Sequence, residues 1–328
     1  MSDGVLYAMT DEGVRLPVID VTNAAFAVSA TEAELAAMAE QYIREAGEQR
    51  EIPEAVREAL RNSMLGRGLM AASGTFLNAM STYLLKLGPE NLGEDASPID
   101  RRIAASFPAF TARLRLVVMA RLLAEGLGRS AAVERRPVCL VNIGGGAGAD
   151  SWNALIRMHG EKAGLLAGRE IVIALMDLDA RGSAFGLRAV AALCVPGAPL
   201  SGLDITVRYL SYEWSDANRL RIALEGLNAG DAACGISSEG GLFEYGCDEE
   251  IVANLRVLHA GTARDAVVVG SVTREGGVVR ASLIANRVLT RPRTIEAFQV
   301  LCEEGGWRVE GVIERPFSYN VRLVKCEV

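Results

Sequence analysis

The sequence has only two histidines, and no pair of its six cysteines has the CxxC spacing. Histidine and closely paired cysteine supply most zinc ligands, so this composition predicts no metal site. The cysteines are spread along 328 residues, and most lie in apolar stretches such as the one around Cys139. A cysteine in such a stretch behaves as a small hydrophobic residue. We therefore expect free thiols and a reducing, cytoplasmic location.

The chain also lacks an excess of positive charge. It carries 34 Lys and Arg against 41 Asp and Glu, which gives a formal net charge of -7. A nucleic-acid partner is not expected from this balance, because binding to phosphates needs a basic surface. The N-terminus has no basic flank and no apolar block, and the uncharged run from Gly68 to Leu85 is rich in Ser, Thr, Asn and Gly. The sequence therefore predicts no signal peptide and no membrane span.

Hydrophobic residues make up 50% of the chain, enough for a large core. Residues 1–130 have helical spacing and predict an all-α N-terminal module. Its first helix begins with the capping-box pattern Thr31 to Glu34. A second helix is expected after Pro53, with Val56, Leu60 and Met64 on one face. The last predicted helix of this module runs from Phe110 to Leu123 and is expected to end at Gly126 and Gly128.

From residue 131 onward, short apolar runs alternate with amphipathic helices. This alternation predicts an α/β, doubly wound, mainly parallel sheet over residues 131–328. The expected parallel strands are 138–143, 171–176, 205–210, 232–236 and 266–272. The last two apolar segments, 307–313 and 317–324, are separated by too few residues for a helical crossover. They are expected to pair antiparallel, so that a seven-stranded sheet ends in a hairpin.

A glycine-rich turn follows the first predicted strand and precedes a helix. It contains Gly144, Gly145, Gly146 and Gly148, and Asp150 is placed to cap the helix. Glycines let a ligand approach the backbone, and the free N–H groups of a helix N-terminus bind anionic groups. Asp177 ends the second strand, where a carboxylate can accept both ribose hydroxyls of an adenosine-containing ligand. Asp179 is the better candidate for the cap of the next helix.

These residues resemble the first two motifs of the class I S-adenosylmethionine-dependent methyltransferases. The resemblance rests on 141–148 (Val-Asn-Ile-Gly-Gly-Gly-Ala-Gly), on Asp177 and on the closing hairpin, and it covers about residues 131–328. It implies S-adenosylmethionine as cofactor, with a set of candidate contacts: Asn142, Gly144, Gly145, Gly146, Gly148, Asp150, Asp177, Leu178, Tyr212, Glu213 and Ser238. Asn142 departs from the acidic residue usual in the family.

The resemblance also implies where the acceptor binds. The family places the residues nearest the methyl group after the fourth strand, which corresponds here to Glu239, Glu244 and Tyr245. N-terminal helices often cover the cleft or form dimers in that family, so Tyr83, Arg101 and Arg102 are candidate substrate contacts and a homodimer is expected. In-line displacement at a sulfonium methyl group needs mainly positioning of the acceptor.

Two other functions stay open at the level of the sequence. The segment Gly144 to Ala149 also fits the turn of a nicotinamide-dependent oxidoreductase, although Gly148 and the terminal hairpin disfavour it. A non-catalytic nucleotide-binding regulatory protein could keep the same fold, and Asn142 is the one hint of it. The sequence does not identify the acceptor.

Overall fold

A computed structural model of the chain describes residues 4–47, 53–72, 76–133, 135–286 and 289–326. Its helices are α1 (Glu32–Gly47), α2 (Glu54–Arg61), α3 (Met64–Ala71), α4 (Ala79–Leu87), α5 (Pro98–Ala104), α6 (Phe107–Val133), α7 (Ala149–Lys162), α8 (Ala180–Leu193), α9 (Ala217–Gly226), α10 (Leu242–Tyr245), α11 (Asp248–Gly261), α12 (Gly277–Asn286) and α13 (Ile295–Glu304). Its strands are β1 (Tyr7–Met9), β2 (Arg15–Pro17), β3 (Val138–Ile143), β4 (Glu170–Asp177), β5 (Asp204–Ser211), β6 (Ala233–Ser238), β7 (Val267–Thr273), β8 (Trp307–Glu314) and β9 (Ser318–Lys325).

Seven strands form the main sheet, in the order β5-β4-β3-β6-β7-β9-β8. The first five in this order are parallel, and β9 lies antiparallel both to β7 and to β8. The predicted parallel sheet with a closing hairpin is therefore confirmed. The order reverses at β3, so the segments after β3, β4 and β6 meet at one edge of the sheet. Ligands bind at this point in open α/β sheets.

The central strands are buried on both faces. Every residue of β3, β6 and β7 is buried, because helices cover the sheet on both sides. Such strands read as continuous apolar runs rather than as alternating patterns. The sequence signal for these strands was therefore clear, and their observed bounds differ from the predicted ones by at most two residues at either end.

The N-terminal region is not purely helical. A two-stranded antiparallel sheet, β1 with β2, precedes the helices, and its three-residue strands are too short to give a periodic signal. The helix predicted after Pro53 is interrupted as well. It ends at Arg61, and Ser63 begins α3 by accepting a hydrogen bond from the Gly66 amide at 2.9 Å. The capping box at Thr31 and Glu34 is present as expected.

Helix α6 continues well past the glycines that were expected to end it. It reaches Val133 and packs against β6 and β7. A Cβ at Gly126 would lie 2.8 Å from the Val267 side chain, and one at Gly235 would lie 2.9 Å from Leu123. Gly126 therefore permits close packing of the helix on the sheet. The buried apolar core runs without interruption from the N-terminal helices into the sheet.

Among the described residues, no single helix is both long and apolar enough to cross a membrane, while α5 and residues 107–131, bent by 55° to each other, meet the length and composition limits only as a pair. All six cysteines are free thiols. The predicted homodimer stays a prediction.

Candidate active site

A cavity of about 430 Å³ opens at the edge where β3, β4 and β6 end. This volume lies within the range of roughly 300–1,000 Å³ that is usual for small-molecule sites. Its walls come from the segments after these strands, from α4, α6 and α12, and from the turn of the terminal hairpin. Of the residues that the sequence assigned to the site, these line the cavity: Gly144, Gly145, Gly146, Asp177, Leu178, Tyr212, Glu239, Glu244 and Tyr245.

The glycine turn takes a backbone conformation that other residues rarely adopt. Gly144 and Gly146 both have φ of 65°, and Gly148 has φ of 77°. Space is also restricted, since a Cβ at Gly144 would lie 3.0 Å from the Trp214 ring and one at Gly146 would lie 3.0 Å from Ala79. The turn therefore requires glycine for its φ angles and for its close neighbours.

Asp177 lies beside this turn at the end of β4. Its carboxylate accepts hydrogen bonds from the amides of Gly146, at 2.9 Å, and Asp179, at 2.8 Å. Burial raises the pKa of Asp177, although these two amides counteract the effect. Each carboxylate oxygen can accept a further hydrogen bond, so the group can still bind ligand hydroxyls. Asp179 caps α8 by accepting from the Arg181 amide at 3.1 Å, as predicted.

Three aromatic side chains form one side of the cavity. The ring of Phe76 makes edge contacts with Trp214, at a centroid distance of 5.7 Å, and with Tyr245, at 5.1 Å. Trp214 also lies against Gly144, so these rings, here called the aromatic wall, reach the glycine turn. Behind the wall, the Tyr212 hydroxyl donates to the side-chain oxygen of Asn254. The wall offers apolar faces on which a planar ligand can stack.

Four charged side chains form a buried cluster at the wall of the cavity. Lys86 from α4 pairs with Glu239, and Arg115 from α6 bonds to Glu239 at 2.7 Å and to Glu244 at 2.9 Å. Ser271 in β7 donates a hydrogen bond to Glu244 at 2.6 Å. Two cations balance two anions in this buried charge cluster, which is what burial of charge requires. The cluster joins the N-terminal helices to the loop after β6.

The cluster determines the protonation of the predicted catalytic residues. Burial by itself would raise the pKa of Glu239, but Lys86 and Arg115 outweigh it and hold the pKa below the usual value. Glu239 is therefore an ionised structural partner and a poor proton acceptor. Burial and the nearby Glu244 raise the pKa of Tyr245, so its phenol stays protonated. The site is suited to positioning an acceptor more than to removing a proton from it.

Asn142 and Asp150 lie beside the glycine turn, but Asp150 is not the helix cap that was predicted, because α7 begins at Ala149 with Gly148 as its N-cap residue and has no side-chain cap. The Asn142 amide donates to Asp150 at 2.7 Å and to Ser237 at 3.0 Å. One oxygen of the Asp150 carboxylate has no hydrogen-bond partner among the described residues. Burial, with a contribution from Glu239, raises the pKa of Asp150 to about 6. Ser238 is likewise buried and bonds to the Ile143 carbonyl at 3.0 Å. These residues fix the backbone of the site and do not line the cavity.

Several other sequence candidates lie outside the cavity. Tyr83 is buried, and its hydroxyl donates to the Pro17 carbonyl at 2.7 Å and accepts from the Ile19 amide at 3.0 Å. Arg101 bonds to backbone carbonyls of the loop before α5. The structure does not bring these two side chains to the cavity, and three further candidates are not among its lining residues: Arg102, Glu213 and Gly148.

Segments outside the predicted motifs contribute further residues to the site, and these were not among the predicted site residues. Phe76, Trp214, Arg115 and Arg315 line the cavity, and Lys86 is buried behind it. Trp214 follows the predicted contact Tyr212 by two residues and was open to prediction as part of the same loop. The others lie on helices, before a helix or at a hairpin turn far along the chain, and nothing in their local sequence sets them apart from solvated residues.

No protein-family profile and no curated protein matches the sequence. The crystal structure of a possible exported protein from Bordetella parapertussis is similar, with a TM-score of 0.59 at 19% identity over 91% of this chain and 98% of that one. The complex of LepI with SAM gives a TM-score of 0.37 at 15% identity over 61% of this chain, and only 46% of LepI is covered. CalO1, a methyltransferase in calicheamicin biosynthesis in its SAH-bound form, gives a TM-score of 0.40 at 14% identity over 85% of this chain and 74% of CalO1.

At these identities, structural similarity shows the fold alone. The strand order β5-β4-β3-β6-β7-β9-β8, with β9 antiparallel to both of its neighbours, is the arrangement of the class I S-adenosylmethionine-dependent methyltransferase fold. The antiparallel β9 between β7 and β8 is one of the features that supported the resemblance in sequence.

Proposed function

We propose that the protein transfers a methyl group from S-adenosylmethionine to a small-molecule acceptor. The observation that carries this proposal is the meeting of Asp177 and the glycine turn at one cavity, at the switch point of a class I methyltransferase sheet. The turn requires glycine at Gly144 and Gly146 because of their positive φ angles, and both residues line the cavity. These residues fit an adenosine-containing cofactor.

The charges of the side chains that line the cavity support the same cofactor. The negative charges of Glu239 and Glu244 are balanced by Lys86 and Arg115 within the buried charge cluster. Asp177 and Asp179, by contrast, lie next to the glycine turn and line the cavity. The cofactor supplies an electrophilic methyl group on a cationic sulfur. A site with acidic side chains favours such a ligand over an uncharged one. In this proposal Asp177 binds the ribose hydroxyls, Tyr212 and Leu178 lie near the adenosine, and the glycine turn binds the amino-acid end.

The contribution of the chain to the reaction is orientation and exclusion of water. The aromatic wall and α4 line the cavity beside the glycine turn, and α6, α12 and the hairpin turn contribute further lining residues. Because Glu239 is held ionised by Lys86 and Arg115, it stabilises the loop after β6 and does not take a proton. Positioning in a desolvated cavity can supply a large part of the rate enhancement for such a displacement.

The size and position of the cavity also favour a small molecule as the methyl acceptor. The cavity lies between the N-terminal helices and the sheet, and its lining includes Thr82 and Leu85 of α4 and Thr111 and Ala112 of α6. A folded macromolecule cannot enter a space of about 430 Å³, whereas a small planar compound can.

Calorimetric titration with S-adenosylmethionine, S-adenosylhomocysteine and NADPH tests the cofactor. We expect the two sulfur nucleotides to bind, and Asp177→Asn to weaken them by about tenfold or more through loss of hydrogen bonds to a charged group. Asp204→Asn, at the opposite end of the adjacent strand, is the matched control and should leave the affinity unchanged. Binding of NADPH alone would replace the proposal with an oxidoreductase.

A second candidate is a protein that binds the nucleotide without transferring its methyl group. Two observations favour it: the ion pairing of Glu239 and the contact of Ala79 with Gly146 at the turn. A radiolabelled-methyl assay with a panel of phenols, amines, thiols and carboxylates separates the two. Transfer to any acceptor, lost in Asp177→Asn, supports the enzyme; tight binding with no transfer to the entire panel supports the second candidate.

A further inference from the structure

Two arginines line the cavity among the described residues, and they differ in how their charge is balanced. Arg115 is held between the carboxylates of Glu239 and Glu244 in the buried charge cluster. Arg315, at the turn between β8 and β9, has one carboxylate partner in the described part of the chain, Glu32, at 3.3 Å. The side chain of Glu32 is 87% exposed, so water and salt screen this pair strongly. Arg315 therefore gives its end of the cavity a positive charge with little compensation.

The guanidinium of Arg315 also has unused hydrogen-bonding capacity. Its Nη1 donates to the Glu314 carbonyl at 2.9 Å, and this bond fixes one side of the group. Its Nε is buried and has no partner among the described residues. Buried donors in folded proteins are nearly always paired, so the unpaired Nε shows that the described residues do not satisfy this guanidinium completely.

The surroundings of Arg315 define the rest of this subsite. Phe317, Val279 and Leu283 give it apolar walls, and the ring of Phe317 is itself fixed against Tyr42 and Phe107. Two residues with hydroxyl groups also belong to this end: Ser318, whose carbonyl accepts from the Arg315 amide at 2.8 Å, and Thr273, which pairs with Ser318 in the sheet; both line the cavity. An arginine with hydroxyls at the end of an apolar space matches a molecule with an apolar body and one oxyanion group, because a guanidinium recognises a carboxylate by paired hydrogen bonds.

We propose that Arg315 binds a carboxylate on an apolar acceptor and thereby selects acidic over neutral acceptors. This inference rests on the proposed function, because it assigns the hairpin end of the cavity to the acceptor and the glycine-turn end to the cofactor. The N-terminal helix α1 contributes to the selection through Glu32 and Tyr42, both of which contact the hairpin turn.

The test uses two fluorescent probes of similar shape that differ in charge. 1-Anilinonaphthalene-8-sulfonate carries an anion, and N-phenyl-1-naphthylamine is its neutral counterpart. We expect the full-length protein to bind the anionic probe about tenfold more tightly, which is the size expected of a charge-assisted hydrogen bond. Arg315→Gln should remove this preference and leave the neutral probe unchanged, and Arg315→Lys should keep part of it. Arg308→Gln, which removes an exposed arginine at the start of β8, should change neither affinity.

Competition with 2-naphthoate and 2-naphthamide extends the test to a carboxylate, which should displace the anionic probe more strongly than the amide does. An unchanged preference in Arg315→Gln, with its melting temperature unaltered, would overturn the inference. Calorimetry with S-adenosylhomocysteine on the same variants keeps the two proposals apart. If the protein binds S-adenosylhomocysteine and its preference for the anionic probe does not depend on Arg315, this inference fails and the proposed function stands. A preference that depends on Arg315 in a protein that binds no sulfur nucleotide defeats the proposed function and leaves the anion site standing.

Discussion

The amide of Ala79 donates a hydrogen bond of 3.1 Å to the carboxylate of Asp179, one hundred residues further along the chain. Asp179 caps α8 as well, so one carboxylate begins α8 and holds the start of α4. Ala79 also faces Gly146 of the glycine turn and Gly182 of α8, both of which leave room for its methyl group. The N-terminal helices are thus fixed against the candidate cofactor site at a defined position.

Adding a methyl group at Gly182 should disturb this contact. A Cβ there would overlap the Cβ of Ala79, and α8 and α4 would have to separate. We expect Gly182→Ala to lower the free energy of unfolding by about 1–3 kcal/mol, as overpacking of a core does. It should also weaken binding of S-adenosylhomocysteine, because Ala79 adjoins the glycine turn. Chemical denaturation and calorimetry measure the two effects.

Gly160→Ala is the control for that substitution. Gly160 lies in α7, and a Cβ added to it would meet no atom within 4 Å. Alanine in a helix is favoured over glycine by about 0.5–1 kcal/mol, so this variant should be slightly more stable. Equal losses in both variants would show that the effect does not arise from Ala79.

Replacing Asp150 with asparagine should stabilise the protein at neutral pH. The carboxylate has a folded-state pKa of about 6, above its ordinary value of 3.8. The folded protein therefore binds this proton more tightly than the unfolded chain does, and stability falls as the pH rises from about 4 to about 6. Above that window the full cost of the buried anion remains, and an uncharged asparagine avoids it.

A gain of about 1–3 kcal/mol is expected for Asp150→Asn at pH 8, with a smaller gain at pH 5. Asparagine keeps an oxygen to accept the bond from the Asn142 amide at 2.7 Å. Urea denaturation at the two pH values provides the measurement. A variant that is less stable than the parent at pH 8 would mean that the ionised carboxylate serves the folded state.

Breaking the buried charge cluster at one member should be costly. Lys86→Met leaves the buried Glu239 with only Arg115, and Glu239→Gln leaves Lys86 without its partner. Each change should cost about 3–5 kcal/mol, because a charge is left uncompensated in the interior. The double variant should cost clearly less than the two single losses together. If the loss in the free energy of unfolding of the double variant equals the sum of the two single losses, Lys86 and Glu239 do not interact directly.

The surface offers a matched pair for comparison. Arg221 and Glu225 form an i,i+4 ion pair on α9, and their side chains are 51% and 63% exposed. Such pairs contribute less than about 1 kcal/mol. Arg221→Met should therefore change the unfolding energy very little, which separates the effect of burial from the effect of charge removal.

Trp214 should report on the cavity by fluorescence. Of the three tryptophans, Trp152 and Trp307 are 1% and 0% exposed, whereas Trp214 lines the cavity. Binding of S-adenosylhomocysteine should change the emission, and Trp214→Phe should abolish that change. Phe76→Ala should increase quenching by acrylamide, because Phe76 covers the indole edge. Tyr7→Ala, which removes another partly exposed aromatic outside the cavity, should leave quenching as it was.

The parallel strands and the glycine turn could be predicted because their determinants are local. An apolar run buried on both faces, as in β3, differs visibly from its flanks, and a positive φ at Gly144 requires glycine at that position. The alternation of strands and helices then predicts a doubly wound parallel sheet through the right-handed crossover rule. Asp179 as a helix cap was predicted for the same reason, since a cap depends on its next few residues.

The buried charge cluster could not be predicted, because its members are brought together only by the fold. Lys86 and Glu239 lie far apart in the chain, and each reads locally as a solvated residue. The sequence placed Glu239 near the site but carried no sign of the cations that hold it ionised. The extent of α6 was missed on similar grounds, since the close packing of Gly126 on Val267 is a long-range contact that the local sequence does not show.

Helix α6 has a consequence for how the chain is made. It leaves the ribosome before any of the strands on which it packs, and its partners β6 and β7 are synthesised about a hundred residues later. Until then its apolar face has no sheet to cover, and the N-terminal helices cannot take their final places. Strand β9, the last to emerge, completes the sheet beside β7. The helices before the sheet are therefore synthesised earlier than the strands that bury them, and their apolar faces are open to chaperones during that interval.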